Sequence, residues 1–372
     1  MSSDDQKFRD SIVEKIIKHE DLRGFDFSGR VLSGLKFYHQ PGNPTEMFVP
    51  DLSGANFSGA VLHNCDFLDG RLRYADFSRA DLKGSYMFGA DIRESNFDGA
   101  FLSNCHLYGS DLSHSSLNKI QAKESLISAC ELDNSVLIGA DFSGSSLKDS
   151  HFIECNLANA NFANAYMEGV FLSFSRLRNA DFSKAVMFRA DMGKVDARLA
   201  IFKGSILGKY DCEAGQYHGA NMARADLTGA DFTKAELVGV NLHSAIIINC
   251  NFHGANLRGA NLTDTQVNEK TNLSDANLVR ARIKGVDFSC LRLSGTNLFE
   301  TMIDFEEIPQ ILWEEEKGDF IQAWEAYSQL KTNFKSLGDK KGERWASRKE
   351  RRLRGICNRL MKKNQKEKML VG

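Results

Sequence analysis

Proline is scarce in this sequence. Its 372 residues include four prolines, and none lies between Asp51 and Glu307. Because proline has no N–H to donate, its absence fits a long, continuous hydrogen-bonded backbone ladder. Long apolar runs are also missing, since the longest aliphatic run, Ala245–Ile248, is far too short to cross a bilayer. The segment Met1–Glu20 contains three aspartates and no apolar core, unlike a secretory signal. We therefore expect a protein of the cytosol without a transmembrane segment.

What the sequence does contain is a five-residue repeat. From Leu52 to Val267 a large apolar residue, termed the centre of its pentad, recurs at every fifth position through 44 pentads. A small residue stands two positions before most centres, and Asp or Asn stands directly before many of them. The centres that are not Leu, Phe, Ile, Met or Val are Ala122, Ala197, Cys212 and Tyr217. This strict period predicts a repeat architecture with an uninterrupted register.

A five-residue period fits neither an ordinary helix nor a plain strand. On a helix, successive centres would rotate by about 140° and leave no apolar stripe. On a strand, an odd period would place them on alternating faces. A chain that bends by about a right angle after each pentad points every centre inward, so that four pentads close one square coil. The pattern therefore predicts an all-β solenoid.

The repeated phrase resembles that of the pentapeptide-repeat family, Ala-(Asp/Asn)-Leu-x-x. The phrase stands in this chain as Ala75-Asp76-Phe77, Ala140-Asp141-Phe142, Ala225-Asp226-Leu227 and Ala255-Asn256-Leu257. The resemblance implies a right-handed quadrilateral β-helix. The local chemistry agrees with this fold, because Asp and Asn can bond nearby backbone groups and support tight turns.

The position two residues before each centre, here called the small position, indicates how the core is packed. Five of the eight cysteines occupy it and interchange there with Ala and Ser, which indicates packing and reduced thiols; they are Cys65, Cys105, Cys130, Cys155 and Cys250. Where this position holds Ile120, Val195 or Tyr210, the next centre is the smaller Ala122, Ala197 or Cys212. Such exchanges conserve core volume.

Three segments are expected. Residues 1–20 predict an N-terminal capping helix with an apolar stripe of Phe8, Ile12, Val13, Ile16 and Ile17. Residues 21–303 predict the β-helix, with an irregular loop near 38–50 that includes the QPGNP sequence, and a bulge near 268–272 where one residue is added. Residues 304–372 predict an α-helical segment with a basic tail, because Phe320, Trp324, Tyr327, Leu330 and Phe334 have helical spacing.

Reactive side chains do not converge in the repeat. No two cysteines occupy the same position in adjacent coils, and the sequence has no glycine-rich phosphate loop, metal-binding Cys-x-x-Cys motif or nucleophile elbow. Its aspartates recur as turn-forming residues of the pentad. We therefore expect a protein that is not an enzyme and that has no cofactor, no metal and no small-molecule substrate.

One face of the predicted solenoid departs from the repeat. Its centres run from Phe67 to Val267, one in each coil, and its outward positions carry apolar residues in place of Asp or Asn. The candidate interaction residues are Leu68, Tyr86, Phe88, Tyr108, Tyr166, Phe188, Ile206, Ile246 and Ile248. Aromatic and β-branched residues also suit strands in general. Their restriction to one face favours a surface covered by a foreign protein, a second copy or the C-terminal helices.

Positive charge collects at the C-terminal end. From Lys331 onward the chain has 15 Lys and Arg residues against four carboxylates, while its formal net charge is −2. The candidate contacts in this basic tail are Arg348, Lys349, Arg351, Arg352, Arg354 and Arg359. A solvated helix would have this composition, and so would a surface for nucleic acid, anionic lipid or an acidic protein.

Three functions are compatible with these features. The first is a non-catalytic scaffold or adaptor, such as a bacterial effector or regulator, that binds an unidentified protein or a second copy through the apolar face and the C-terminal helices. A translocated effector would act in the cytosol of a host cell. The second, implied by the family resemblance, is a DNA mimic that binds a type II topoisomerase such as DNA gyrase. Lys and Arg scattered along the repeats count against it. The third is nucleic-acid or lipid binding by the basic tail.

Overall fold

The computed structural model describes residues 2–42 and 46–371, with side chains described up to residue 361. The chain divides into two compact units, Met1–Ile201 and Phe202–Gly372. Both contain coils of a right-handed quadrilateral β-helix, in which most pentads supply one bridge residue to a parallel ladder. No helix within the described residues has both the length and the apolar character needed to cross a membrane.

The first unit begins with α1, Ser3–Ile17. The Ser2 hydroxyl caps this helix by accepting a hydrogen bond from the Asp5 N–H. Ile12 and Ile16 are buried, whereas 37% of Val13 and 51% of Ile17 is exposed. The buried stripe of α1 is therefore narrower than the sequence predicted.

Hydrogen bonds between coils follow the repeat. The N–H of the centre Leu52 donates to the Arg71 carbonyl one coil later (2.8 Å), and the N–H of Asp76 donates back to the Ala55 carbonyl (2.9 Å). The N–H of Ala55 donates to the Leu52 carbonyl (3.0 Å) and closes the corner. The backbone N–H groups of one coil therefore bond alternately to the next coil and to the preceding coil.

The corners explain why Asp and Asn recur. The Asp51 carboxylate accepts a hydrogen bond from the Ser53 N–H two residues on (2.9 Å), as predicted for the position before the centre. Two residues after the centre the backbone is left-handed, with φ of 63° at Gly59 and 53° at Asn64. A residue with φ above zero at the third position is characteristic of a type II turn.

Stacked side chains fill the inside of the first unit. Ring centroids of Phe57 and Phe77 lie 4.7 Å apart, and those of Phe77 and Phe97 lie 4.8 Å apart, which confirms a ladder with one phenylalanine in each coil. Ile120 and Ala122 are both completely buried, which agrees with the predicted exchange of large and small side chains.

The cysteines of the small position are packing residues, as predicted. All five are at most 2% exposed. Burial raises the pKa of the Cys105 thiol to about 12, and its Sγ donates to the Leu82 carbonyl (2.9 Å). Serine takes the same role, because the Ser85 hydroxyl donates to the Leu62 carbonyl (2.5 Å). These buried polar atoms are therefore satisfied within the core.

The first coil is closed by side chains and a loop. The Arg9 guanidinium on α1 donates to the Ser33 carbonyl (2.8 Å), which caps an acceptor at the open edge. His39 and Phe48 form an antiparallel bridge across the predicted irregular loop. Residues 43–45, which include part of the QPGNP sequence, lie outside the described residues.

A β-hairpin interrupts the second unit and contradicts the prediction of an unbroken register. Strands β1 (Ile206–Asp211) and β2 (Gln216–Gly219) pair antiparallel, and β3 (Glu236–Leu237) pairs parallel with β1. The Phe202 ring stacks on Phe232 at 4.6 Å, whereas an unbroken register would place Met222 beside it. Tyr210 is 41% exposed and Cys212 is also exposed, so the predicted volume exchange is wrong at this pair.

The hairpin lies against the coils through one tyrosine. A Cβ added to Gly239 would lie 2.3 Å from the Tyr217 Cβ, and one added to Gly259 would lie 2.6 Å from the Tyr217 Cζ. These two glycines, one coil apart, therefore make room for the side chain. The Tyr217 ring also contacts Tyr210, with centroids 5.0 Å apart.

Beyond the hairpin the coils continue to residue 303. In this ladder Asn251 pairs with Asp231, one ordinary coil before it. The next partner of Asn251 is Asn272, and the coil between these two residues is one residue longer. This longer step accommodates the added residue at 268–272. Strands β4 (Arg282–Ile283) and β5 (Met302–Ile303) pair in parallel. Short 3-10 helices occupy Phe288–Cys290 and Phe305–Glu307.

Three α-helices end the second unit: α2 (Trp313–Glu316), α3 (Phe320–Ser336) and α4 (Lys340–Val371). Apolar residues of α3 and α4 are buried against each other, namely Tyr327, Leu330, Phe334, Trp345 and Leu353. From α2 the Glu314 Oε1 accepts hydrogen bonds from the N–H groups of Leu293 (2.6 Å) and Ser294 (3.1 Å). This carboxylate replaces the carbonyl that a further coil would offer.

Candidate interaction surfaces

A contiguous apolar surface lies on the first unit. We call it the aromatic patch and define it as Leu68, Tyr86, Phe88, His106, Tyr108 and Leu126. Tyr86, His106 and Leu126 are bridge partners in three successive coils. The other three members stand one position after the centres of successive coils. The ladder therefore brings together six side chains that are spread from Leu68 to Leu126 along the sequence.

Ring contacts join the members of the patch. The Tyr86 and His106 rings stack with centroids 4.8 Å apart, and Phe88 lies 6.0 Å from His106 and 6.2 Å from Tyr86. Tyr108 is 57% exposed, Leu126 is 45% exposed and Tyr86 is 39% exposed. The rings are thus held by one another while a large part of their surface faces solvent.

Polar contacts bound the patch on both sides. Beside Leu68, the Asp66 carboxylate accepts a hydrogen bond from the Tyr38 hydroxyl of the preceding coil (3.0 Å). In the following coils the hydroxyls of Ser128 and Ser146 are hydrogen-bonded (2.9 Å). Tyr166 is separated from Leu126 by Ser146 in the same ladder and does not extend the patch.

The two remaining predicted face residues of the first unit, Tyr166 and Phe188, lie outside the aromatic patch and have contacts of their own. Tyr166 donates a hydrogen bond to Glu168, and this bond raises the pKa of the tyrosine. Phe188 is 9% exposed, so its inclusion in an exposed face is wrong. A ring that the chain itself covers offers little further area to a partner.

The predicted face also does not continue as one ladder through the second unit. Ile206 pairs with Glu236, whereas Ile246 pairs with Asp226 and Gln266 in another ladder. Ile248 is half-buried two residues after Ile246. The hairpin takes two whole pentads out of the coil after Ile206, so counting by a fixed coil length assigns Ile246 and Ile248 to the wrong face.

Exposed apolar residues are not confined to the predicted face. Phe101 is 50% exposed and Phe171 is 38% exposed on other ladders. The bridge neighbours of Phe101 are Asp81 and Gln121, so it is an isolated apolar side chain. Single exposed apolar residues are ordinary, whereas contiguous patches mark interfaces. Contiguity is therefore what distinguishes the aromatic patch.

One cluster of possible metal ligands escaped the sequence search. Ligand atoms of Glu131, Asp133 and His151 lie within 4.8 Å of one another, and His151 Nδ1 is 3.2 Å from Glu131 Oε2. The relevant signal is a pair of carboxylates two positions apart in one coil, combined with a histidine at the matching position of the next coil. All three residues are at least partly exposed. Other histidines form similar pairs with single carboxylates, such as His63 with Asp81 (2.6 Å).

Two predicted contact residues of the basic tail are ion-paired within the protein. Lys349 and Arg352 both pair with Glu315, whose side chain is 5% exposed; the Lys349 side chain is 17% exposed, whereas that of Arg352 is 56% exposed. Burial lowers the pKa of Lys349. The Glu315 carboxylate also accepts a hydrogen bond from the Tyr327 hydroxyl (2.6 Å). The remaining predicted contact residues of α4 are, like Arg352, exposed: Arg348, Arg351, Arg354 and Arg359.

Stacked five-residue coils with apolar centres and Asx turns define a tandem-repeat β-helix. The model of the family described as pentapeptide repeats matches eight copies, over residues 51–87, 85–120, 135–173, 168–204, 218–247, 235–269 and 269–298. The chain belongs to the pentapeptide-repeat family.

Solved structures of similar fold share little sequence with this chain. The full-length fluoroquinolone resistance protein QnrB1 is 19% identical over 48% of this chain and 81% of its own, with a TM-score of 0.31. HetL, which is involved in heterocyst differentiation regulation in the cyanobacterium Nostoc sp. strain PCC 7120, is 19% identical over 75% and 94%, with a TM-score of 0.21. At this low sequence identity, neither the partners nor the activities of these proteins can be assigned to this chain. No curated protein sequence matches the chain.

Proposed function

We propose that this protein is a non-catalytic scaffold that binds a protein partner through the aromatic patch. The single observation that supports this proposal most is the contact of Tyr86, His106 and Phe88 in adjacent coils beside the exposed Tyr108. Tyrosine and phenylalanine are enriched at the centres of protein interfaces, because they bury a large area at a small cost in side-chain entropy.

A protein partner fits this surface better than an ionic ligand does. The centre of the patch contains rings and aliphatic groups, while hydroxyl and carboxylate groups stand at its edges in Asp66, Ser128 and Ser146. An apolar centre surrounded by polar groups is the usual arrangement of a protein interface. The stacked rings are also positioned before binding, which lowers the entropy lost on association.

The charge pattern favours a scaffold over a DNA mimic that binds a topoisomerase. On one ladder of the first unit, Asp91 accepts from Arg73 (2.7 Å) and from Arg93 (2.8 Å), and Arg93 also lies 3.2 Å from Asp111. These arginines offset the carboxylates that would imitate a row of phosphates. Exposed ion pairs contribute little to stability, but they do reduce the negative potential of the surface.

A matched pair of double variants tests the proposal. Tyr86→Ser/Tyr108→Ser removes two rings of the patch, while Phe101→Ser/Phe171→Ser removes two rings of comparable exposure elsewhere. Each purified variant should be compared with the wild-type protein in affinity capture from the native host, with quantitative mass spectrometry. Light scattering over a range of concentrations would detect a second copy as the partner.

We expect the patch variant to lose its specific partner at least tenfold, or to lose self-association, while the control retains it. Thermal unfolding should stay within a few degrees for both, because all four rings are partly exposed. Equal retention by both variants would contradict the proposal. Inhibition of DNA gyrase supercoiling by the wild-type protein and the patch variant alike would favour the DNA-mimic alternative instead.

A further inference from the structure

Basic residues line the outward side of α4 over a little more than five turns. We call this surface the basic face and define it as Lys340, Arg344, Arg348, Arg351, Arg354 and Arg359. At about 100° per residue, these six side chains fall within an arc of roughly 140° around the helix. Glu343 and Glu350 lie outside that arc. Within the part of the helix whose side chains are described, no carboxylate of α4 therefore lies inside the arc, although Glu343 lines a surface hollow at its margin together with Lys340 and Arg344.

The packing of the second unit leaves this face unused. The opposite side of α4 is buried against α3 through Trp345, Ala346 and Leu353. Glu315 is satisfied by Lys349 and Arg352, which are not part of the basic face. In the described part of the chain none of the six basic-face residues forms an ion pair.

We propose that the basic face binds the phosphate backbone of a nucleic acid. Like charges three or four residues apart on a helix repel one another and disfavour the helix, and bound phosphates would relieve this repulsion. From Arg344 through Arg348 and Arg351 the helix rises by about 6 Å and then about 4.5 Å. A strand of B-DNA presents one phosphate about every 3.4 Å along its axis, so neighbouring arginines can reach neighbouring phosphates.

Arginine is the residue type suited to this role. Five of the six residues are arginines, whose planar guanidinium groups bind phosphate through two parallel hydrogen bonds. Arg351 and Arg359 already direct Nε to carbonyls of their own helix, at Ser347 (3.2 Å) and Gly355 (3.1 Å). Their terminal NH groups stay available to an anion.

A membrane surface fits the same helix less well. Helices that lie on bilayers insert apolar residues on the side next to their cationic residues. On α4 the apolar residues Trp345, Ala346, Leu353 and Cys357 are buried in the protein, and Ile356 is half-buried. Leu360 and Met361 are 40% and 47% exposed, but they lie at the end of the basic face. The basic face can therefore contact phosphates, but it has little exposed apolar area beside it to insert into a bilayer.

Binding should be measured on the full chain by fluorescence anisotropy with a DNA duplex of about two helical turns, in about 50 to 200 mM KCl. If five of the six charges contact phosphates, the logarithm of the association constant falls with the logarithm of salt at a slope of about −4.5, or about 500-fold across this range. A single-stranded RNA of the same length and vesicles of phosphatidylserine serve as parallel ligands.

The variant Arg344→Gln/Arg348→Gln/Arg351→Gln should reduce the magnitude of that slope by about 2.7. The matched control changes three exposed basic residues of the coils in the same unit, Lys203→Gln/Arg224→Gln/Lys270→Gln. It alters the net charge equally and should leave both the slope and the affinity almost unchanged. Replacing the same three arginines by lysine keeps the charge and should preserve the slope, which separates lost charge from lost folding.

Three outcomes would overturn the proposal. The first is that neither the duplex nor the RNA binds at the lowest salt concentration. The second is that both glutamine triple variants lose the same amount of affinity. The third is that the vesicles bind under conditions in which neither nucleic acid binds. Preference for RNA over the duplex, with the same dependence on the three arginines, would support the proposal and identify RNA as the ligand. None of these outcomes depends on the aromatic patch, which lies in the first unit.

Discussion

Replacing Glu314 by alanine should destabilise the C-terminal end of the coils. This side chain is 2% exposed, and its Oε1 accepts hydrogen bonds from the N–H groups of Leu293 and Ser294. Glu314→Ala leaves both amides without an acceptor, at a cost of about 1–3 kcal/mol each. The loss is partly offset, because Oε2 has no hydrogen-bond partner among the described residues and the variant no longer buries that charge. We expect a net loss of about 1–3 kcal/mol in the free energy of unfolding.

Glutamine at this position is the informative control. Glu314→Gln keeps a carbonyl oxygen that can accept from both amides, and it carries no charge. Burial raises the pKa of Glu314 above its usual value. The wild-type side chain therefore contributes most to stability below its unfolded pKa, and this contribution declines as pH rises through the folded pKa. The glutamine variant should lack this decline and should gain stability relative to the wild type as pH rises.

Thermal unfolding between pH 4 and pH 7 and amide hydrogen exchange at Leu293 and Ser294 would measure these effects. For a unit of this size each kcal/mol corresponds to about 2–4 °C in Tm. Faster exchange at the two amides in the alanine variant alone would agree with the capping role. If the alanine variant kept wild-type Tm and protection, or if glutamine were as harmful as alanine, the assignment of Glu314 as an edge cap would be refuted.

Three further substitutions or treatments test other contacts. Thiol labelling at pH 8 should modify Cys212, which is exposed, while the five buried cysteines react only on unfolding, since burial raises their pKa to about 12. Tyr327→Phe should cost about 1–3 kcal/mol in thermal or urea unfolding, because the Leu312 N–H loses its acceptor. Gly259→Ala should displace the hairpin, measured by hydrogen exchange at residues 206–219, whereas Gly254→Ala, at the same kind of corner with its nearest atom 3.6 Å away, should leave it in place.

The regular part of the fold could be predicted because each pentad determines its own local geometry. An aspartate such as Asp51 bonds the backbone two residues on, and Phe77 meets the equivalent residue one coil away on both sides. Both relations involve fixed separations in sequence, so counting recovers them. Conformations at the corners also repeat, with left-handed φ at Gly59 and Asn64 alike. Periodicity was therefore sufficient for the fold.

The hairpin could not be found by counting, because it takes up two whole pentads and leaves the phase unchanged. Its composition did contain a signal. Cys212 and Tyr217 are consecutive centres that are not aliphatic or Phe, and a tyrosine stands in the small position at Tyr210. A core of square coils has no room for two tyrosines in place of a small residue and a centre. Such adjacent exceptions indicate an excursion rather than a repacked core.

Charges of the C-terminal segment were harder to assign for a different reason. Lys349 and Arg352 look like their neighbours on α4, yet they pair with Glu315, which lies on α2, before the whole of α3. No fixed period relates α2 to α4, so only the packing of the helices shows which charges pair with Glu315. The same packing leaves Arg348 and Arg351 on the outward side. Helical spacing therefore predicted the helices, but it did not show which of their basic residues form ion pairs with Glu315.

For the solenoid surface, position in the ladder matters more than the number of exceptions to the repeat. Phe101 and Tyr86 both replace the turn-forming Asp or Asn, and both are more than one-third exposed. Phe101 stands between Asp81 and a glutamine, whereas Tyr86 contacts His106 and shares its ladder with Leu126. An isolated ring adds little apolar area, but rings stacked at the coil spacing add theirs to one continuous surface. A partner can therefore bury the aromatic patch in a single contact, which scattered exceptions do not allow.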